Sequence, residues 1–224
     1  MRKITTILFD LDGTILFTLP DLASSVNHAL EKYGFPVHTE EEIKTYIGNG
    51  IGVLIRKALP AGTADDVWRR VRDEQREYYV WHCTDKTEYV PGMRKLLAEL
   101  KDKGYILGMV SNKDNRAAER VIEHYYPGVF GFCMGETEGI PRKPDPAGPL
   151  HALQILGDRK PSETIYVGDS IVDYNTAVNT GCIPVLVNYG YGSAEVLKAA
   201  GCSHVAGSSE ELLKEIESIT GEIK

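Results

Sequence analysis

The stretch Ile4-Thr5-Thr6-Ile7-Leu8-Phe9-Asp10-Leu11-Asp12-Gly13-Thr14 passes from an apolar run straight into two carboxylates and a glycine. A short apolar run bounded in this way suits a strand buried on both faces, the situation of strands inside a parallel sheet. The carboxylates stand where that strand would end, and the glycine lets the chain turn sharply there. Ligands in open parallel sheets bind beyond the carboxyl ends of the strands, so this is where a site is expected.

The rest of the chain supplies partners for such a strand. Runs rich in Ile, Val and Leu recur after residue 90: Ile106 to Val110, Phe130 to Met134, Thr164 to Val167, Pro184 to Val187 and His204 to Ala206. Helix-length amphipathic stretches separate them, and this alternation predicts a Rossmann-like α/β core, a parallel sheet with helices on both faces. From about Phe17 to Lys86 the rhythm breaks into helix-like segments alone: Leu22 to Tyr33, Glu40 to Tyr46, Gly52 to Leu59 and Ala64 to Cys83. Asp21 is placed to cap the first of these and Thr39 the second. Val67, Val71, Tyr78 and Trp81 give the last a plausible inner face. The expected organisation is a core of residues 1–16 and 87–224, with a small helical cap of residues 17–86 inserted after the first strand. Two connections make a hinge, and an insertion leaving from that strand end would sit over the site.

Composition narrows the class of function. The 224 residues carry a formal charge of −7, with no block of basic residues, which argues against a general nucleic-acid surface. No apolar run approaches the length of a membrane span, and Asp10 and Asp12 interrupt the first one before it could serve as a signal-peptide core, so a cytoplasmic protein is expected. Cys83, Cys133, Cys182 and Cys202 are scattered without zinc spacing and read as free buried thiols. The six histidines form no spacing motif. Monomer and homodimer are both compatible with the sequence.

Four segments carry chemistry. Alternation sends Asp10 and Asp12 the same way along an extended chain, and close like charges suit a nucleophile beside a general acid, or a metal site. A bare pair of this kind is equally an acidic turn. Ser111-Asn112 follows a predicted strand and offers a hydroxyl, an amide and backbone N–H groups to a phosphate oxygen, as any capping pair would. Lys143 lies in Pro141-Arg142-Lys143-Pro144-Asp145-Pro146, where the prolines fix its approach; the alternative is a solvated basic turn. Gly168-Asp169-Ser170-Ile171-Val172-Asp173 follows another apolar strand and opens a helix, with its carboxylates four apart on one face. Asp10, Asp12, Asp169 and Asp173 together would be costly without a cation, and hard oxygen ligands are what magnesium prefers.

In this order and at these strand ends, the four segments resemble the haloacid dehalogenase-like superfamily, and the match covers nearly the whole chain. The resemblance implies a magnesium-dependent phosphatase with Asp10 as the nucleophile that becomes a phosphoaspartate. It implies that Asp12 protonates the leaving oxygen and then activates water. Phosphatases and phosphomutases of the superfamily carry this second aspartate, whereas its dehalogenases generally do not. Magnesium would be held by Asp10, the backbone carbonyl of Asp12 and Asp169, with Asp173 assisting. Ser111 and Asn112 would hold the phosphoryl oxygens, Lys143 would neutralise charge, and Thr14 would support as a hydrogen-bond donor.

Leu19-Pro20-Asp21-Leu22 and Ile47-Gly48-Asn49-Gly50 are similar to the phosphoglycolate phosphatase-like branch, in which the glycine-rich cap loop closes over the site. This makes 2-phosphoglycolate the leading substrate and gives Gly48, Asn49 and Gly50 a place in substrate binding. Both glycines equally fit a helix end and a helix start. Arg56 is the candidate to meet a substrate carboxylate, with Lys44 and Lys57 behind it; a solvated helix face is the other reading. Tyr189 and Tyr191 follow a strand and either line the site or shape a turn. One departure from the branch is Phe17-Thr18, where relatives usually carry Asp followed by Ser or Thr. The competing functions are a phosphomutase of the beta-phosphoglucomutase type, a pyrophosphatase, and a binding protein without turnover.

Overall fold

A computed structural model describes residues 3–221; residues 1, 2 and 222–224 of the expected core lie outside the described range. Strand β1 (Thr6–Phe9) is buried throughout and occupies the middle of a six-stranded sheet. The residues of β1 alternate across the sheet: Ile7 and Phe9 enter one core cluster, while Leu8 enters the other with Val110, Met134, Leu153 and Tyr166. Such a strand has no solvent face, which is why its sequence shows a run and not an alternation.

After β1 the chain forms β2 (Leu16–Phe17), which pairs antiparallel with β3 (Glu88–Tyr89) in a two-stranded ribbon. Between the two ribbon strands lie four helices, α1 (Leu19–Lys32), α2 (Glu40–Lys44), α3 (Gly50–Ala58) and α4 (Asp65–His82). The chain then alternates through α5 (Met93–Asp102), β4 (Ile106–Asp114), α6 (Asn115–Tyr125), β5 (Phe132–Glu136), α7 (Ala147–Ile155), β6 (Thr164–Gly168), α8 (Ile171–Thr180) and β7 (Ile183–Val187). It ends with α9 (Ala194–Ala199), β8 (Val205–Ala206) and α10 (Ser209–Thr220). The strand order is β5-β4-β1-β6-β7-β8 and every pairing in this sheet is parallel.

Register builds the site. Phe9 pairs with Met109 on one side and Val167 on the other, so β1, β4 and β6 run level toward the same edge. Asp10, Ser111 and Asp169 therefore emerge side by side, although they are far apart in sequence. Strand β4 extends past the expected Val110 to Asp114, with a register shift between those two residues, and carries Ser111 to Asp114 up beneath the helical segment as buried polar groups. Bulged strand ends commonly re-aim side chains in this way.

Two local expectations are corrected. Thr39 does form a capping box with Glu42, but Asp21 does not cap α1. It is buried in the first turn and its carboxylate accepts the backbone N–H of Lys86 (2.9 Å) and Thr87 (2.8 Å), tying the start of the helical segment to its return. The inner face of α4 is Val71, Gln75 and Tyr79, continued by Cys83, while Trp81 is 64% exposed and Tyr78 stacks between His28 and His82. Val67 and Val71 of the expected face do pack inward, but Tyr78 and Trp81 leave that row; the i, i+4 row that packs instead continues through a glutamine whose amide donates to Ser25 Oγ at 2.9 Å. All four cysteines are free, with Cys83 and Cys182 buried and the other two partly so. Among the described residues no helix is long and apolar enough to cross a membrane.

Candidate active site

Asp10, Asp169 and Asp173 bring carboxylate oxygens within 4.8 Å of one another, all three buried. Lys143 Nζ enters this cluster and donates to Asp10 Oδ1 at 2.6 Å and to Asp173 Oδ1 at 2.7 Å. Asp173 sits at the third position of α8, where Ser170 accepts its backbone N–H; the other carboxylate oxygen accepts Ser170 N (3.1 Å) and Ser170 Oγ (2.5 Å). This reciprocal cap fixes the rotamer of Asp173 and aims its free oxygen at Lys143.

Burial raises the Asp10 carboxyl to about 7, opposed by Lys143 and reinforced by Asp173 and Asp12. Burial and the neighbouring Asp173 and Asp10 likewise push Asp169 well above the ordinary carboxylate range. Burial works against the charge of Lys143, yet Asp10 and Asp173 outweigh it and hold the ammonium well above its ordinary value. One buried ammonium thus faces three buried carboxylates, a set that lacks positive charge and is made of hard oxygen donors. That is a fit for a hard divalent cation. The backbone around the cluster is glycine because nothing larger fits: a Cβ at Gly190 would meet Asp169 Oδ2 at 2.4 Å, and one at Gly13 would meet the same oxygen at 2.4 Å.

Asp12 lies outside the three-carboxylate cluster. Its Oδ1 accepts Lys113 Nζ at 2.6 Å and Thr18 Oγ1 at 2.5 Å. Lys113 is buried and its ammonium also sits 4.6 Å from the Tyr79 ring centroid on α4. The two aspartates of the motif are therefore separated in partner as well as in place, Lys143 for the first and Lys113 for the second. Lys113 and Thr18 were not singled out in the sequence. Lys113 directly follows the Ser111-Asn112 pair, so its position was legible; Thr18 keeps the Ser or Thr of the branch pattern, next to the Phe17 that departs from it. Phe17 packs edge-on against Tyr189 (ring centroids 6.3 Å), and it is the next residue, Thr18, that supplies the polar contact at the base of the helical segment.

Asn112 works as a clamp. Its Oδ1 accepts the Lys143 backbone N–H (2.9 Å), and its Nδ2 donates to the carbonyls of Lys143 and Gly48 (both 3.0 Å). One amide thereby joins β4, the lysine loop and the glycine-rich loop between α2 and α3. Ser111 Oγ is buried and accepts the backbone N–H of Lys113 at 3.2 Å.

The cleft between sheet edge and helices is lined on the charged side by Asp10, Asp12, Ser111, Asn112, Lys143, Asp169 and Asp173. Leu22, Ile47, Ile51, Leu54 and Tyr79 face them from the helical side, with Gly48, Gly50 and Lys44. Asn49 is turned out of the lining, and its carbonyl instead accepts Arg142 Nη1 at 3.0 Å. Gly48 and Gly50 both have positive φ (106° and 77°), and Gly50 also starts α3, so the two readings of this loop hold together. Tyr191 lines the cleft: its N–H donates to Asp169 Oδ2 (2.5 Å) and its hydroxyl accepts Leu19 N–H (2.9 Å). Tyr189 is structural, donating to the Thr14 carbonyl at 3.0 Å.

Besides Asn49, three expected residues, Arg56, Lys57 and Thr14, are not brought to the cleft. Arg56 lies on the outside of α3, pairs with Asp65 Oδ1 at 2.7 Å and packs 4.5 Å over the Trp68 ring, so it meets no ligand here. Lys57 is exposed on the same outer side. Thr14 is fully buried below the site, and its hydroxyl has no hydrogen-bond partner. The cleft lining instead includes Arg76, whose Nε and Nη2 both donate to Asp114 Oδ2 (2.8 and 2.5 Å).

A Rossmann-like sheet with this carboxylate cluster, a buried lysine and a strand-end serine defines a class of phosphoryl-transfer enzyme. A family profile described as haloacid dehalogenase-like hydrolase matches residues 7–187. Over 220 residues the chain is 32% identical to the phosphoglycolate phosphatase of Vibrio parahaemolyticus, covering 95% of this chain and 96% of the relative. With the phosphoglycolate phosphatase of Haemophilus influenzae it shares 36% identity over 192 residues, 82% of this chain and 85% of the relative. The crystal structure of a Lactobacillus delbrueckii subsp. bulgaricus protein, provisionally named a phosphoglycolate phosphatase, superposes with a TM-score of 0.89 at 33% identity, covering 98% of this chain and 99% of that one. The chain belongs to the haloacid dehalogenase-like hydrolases, and within them it is a phosphoric monoester hydrolase. Phosphatases of that family are generally metal-dependent, a requirement that the acidic cluster suits.

Proposed function

We propose that this protein hydrolyses 2-phosphoglycolate with magnesium as its cation, through a phosphoaspartate on Asp10, with residues 17–86 acting as a cap on the core of residues 1–16 and 87–224. The observation that carries this reading is Lys143 Nζ bridging Asp10 and Asp173 beside Asp169, with Asp12 held separately by Lys113 and Thr18.

In this reading a carboxylate oxygen of Asp10 attacks phosphorus in line with the ester oxygen. Lys143 opposes the rise that burial imposes on the Asp10 carboxyl, favouring its ionised form, and neutralises charge on the transferring group. Ser111 and the backbone N–H of Asn112 hold the phosphoryl oxygens. Asp12 gives its proton to the leaving oxygen and then takes one from the water that attacks the phosphoaspartate. Its contacts with Lys113 and Thr18 fix the carboxylate between those two steps. Asp10, Asp169, Asp173 and the Asp12 carbonyl would hold magnesium, which when bound supplies positive charge to the phosphoryl oxygens. The cleft holds about 110 Å³ of space, room for roughly ten water-sized sites. That scale matches a small phosphoester, and the relatives named above carry phosphoglycolate in their names.

Substrate entry requires the cap to part from the core. The contacts to break are Asn112 to the Gly48 carbonyl and Arg142 to the Asn49 carbonyl, and the β2–β3 ribbon is the hinge. The test is phosphate release from 2-phosphoglycolate, pyrophosphate, hexose phosphates and nitrophenyl phosphate, with magnesium and with excess EDTA. Preference for 2-phosphoglycolate, lost in EDTA and in Asp10→Asn, is the expected result. Selectivity for another ester would overturn the substrate, and full activity in EDTA would overturn the cation.

A further inference from the structure

The cleft contains four cationic side chains, Lys44, Arg76, Lys113 and Lys143, facing five carboxylates, Asp10, Asp12, Asp114, Asp169 and Asp173. Three of the cations are committed. Lys143 is shared by Asp10 and Asp173, Lys113 is held by Asp12, and Arg76 forks onto Asp114. Lys44 is different. It lies in the last turn of α2, is half-buried, and its ammonium has no carboxylate or hydrogen-bond partner among the described residues. The cap side of the lining is mostly apolar, with Leu22, Ile47, Ile51, Leu54 and Tyr79, and its other cation, Arg76, is already held by Asp114.

We propose that Lys44 is the residue that selects the substrate, by pairing with a second anionic group, a carboxylate carried by the leaving alcohol of the phosphomonoester. This rests on the reading of the site as a 2-phosphoglycolate phosphatase and names the part of the cap that would recognise the acid end. The phosphoryl end is already provided for by Ser111, Asn112 and Lys143 on the core side, so a further cation on the opposite wall has no role toward phosphate. An ammonium facing an apolar wall discriminates strongly, because an ester with a neutral leaving alcohol leaves the cation without a partner in a partly dry cleft. Arg56, the first candidate from the sequence, is occupied by Asp65 and Trp68 on the outside of the cap. Placing the cation at Lys44 also joins recognition to the adjacent loop, since Ile47 and Gly48 follow in the same turn and Gly48 is held by Asn112.

The experiment compares 2-phosphoglycolate with 2-hydroxyethyl phosphate, its near-isostere without the carboxylate, in the wild type, Lys44→Met and Lys44→Arg, all with magnesium. Lys44→Met should lower kcat/KM for 2-phosphoglycolate by about 10- to 100-fold, mainly through KM, and change 2-hydroxyethyl phosphate by less than about twofold. Lys44→Arg should keep most of the preference, because it restores the charge. An equal loss on both esters, or an undiminished preference in Lys44→Met, would overturn the assignment while leaving the substrate reading intact. If the wild type itself does not prefer 2-phosphoglycolate, the substrate reading falls and carboxylate selection by Lys44 falls with it.

Discussion

Replacing Asp10 by Asn should destroy activity and, in the absence of metal, make the protein more stable at neutral and alkaline pH. The reason is the buried charge. In an unfolded chain the Asp10 carboxyl titrates near its ordinary value of 3.8, whereas in the folded, metal-free site burial raises it to about 7 despite the attraction of Lys143. Between those values the folded protein holds a proton that the unfolded chain has released, so stability falls as pH rises through this window. A shift from 3.8 to about 7 corresponds to roughly 4 kcal/mol once both states are ionised. An Asn amide has nearly the volume of the protonated acid, still accepts from Lys143 and cannot ionise. The variant should therefore match the wild type near pH 4 and exceed it by a few kcal/mol, at most about 4, at pH 8. Urea unfolding in EDTA at several pH values measures this directly. With magnesium present the gap should close or reverse, because the wild type alone keeps the full ligand set. An Asp10→Asn protein no more stable than the wild type at pH 8 in EDTA, or one with the same gain at pH 4 and pH 8, would refute the account of the buried charge.

Three further substitutions probe the neighbouring groups. Asp12→Asn should lower kcat/KM, which reports the phosphorylation step, far more for alkyl phosphates than for nitrophenyl phosphate, whose leaving group needs no proton, and equal losses of kcat/KM on the two would remove the acid role. Thr18→Val takes away the 2.5 Å hydrogen bond to Asp12 while keeping shape, and should reduce kcat about tenfold with little change in melting temperature; an unchanged kcat would show that Lys113 alone orients the acid. Gly190→Ala drives a Cβ to 2.4 Å from Asp169 Oδ2, so magnesium titration of activity should shift by at least about tenfold to higher concentration, and an unaltered response would exclude Asp169 as a ligand.

Much of the site was legible because its chemistry is written in short local segments. An apolar run ending in Asp10-Leu11-Asp12-Gly13 requires a strand buried on both faces and a turn, and Ser170 with Asp173 requires a helix start. The helical stripe of α4 was less legible, since Tyr78 and Trp81 are as apolar as Tyr79 and only packing against α1 selects the row. Arg56, the preferred candidate, and Lys44 lie on neighbouring cap helices, and only the packing of those helices turns Arg56 outward to Asp65 while leaving Lys44 in the cleft lining.

The sequence by itself determined the order of elements and the residues that must end each strand, because strand burial, turns and helix caps are decided within a few residues. Tertiary structure alone decided which charges meet. The level register of β1, β4 and β6 sets Asp10 beside Asp169, and the Asn112 clamp seats Lys143 between Asp10 and Asp173. The shifted end of β4 brings Lys113 to Asp12, the start of the cap brings Thr18 to the same carboxylate, and the fold of the cap places Lys44 in the cleft lining. Pairing between buried charges depends on distances of a few ångströms between segments remote in the chain, and those distances are set by the packing of the whole fold.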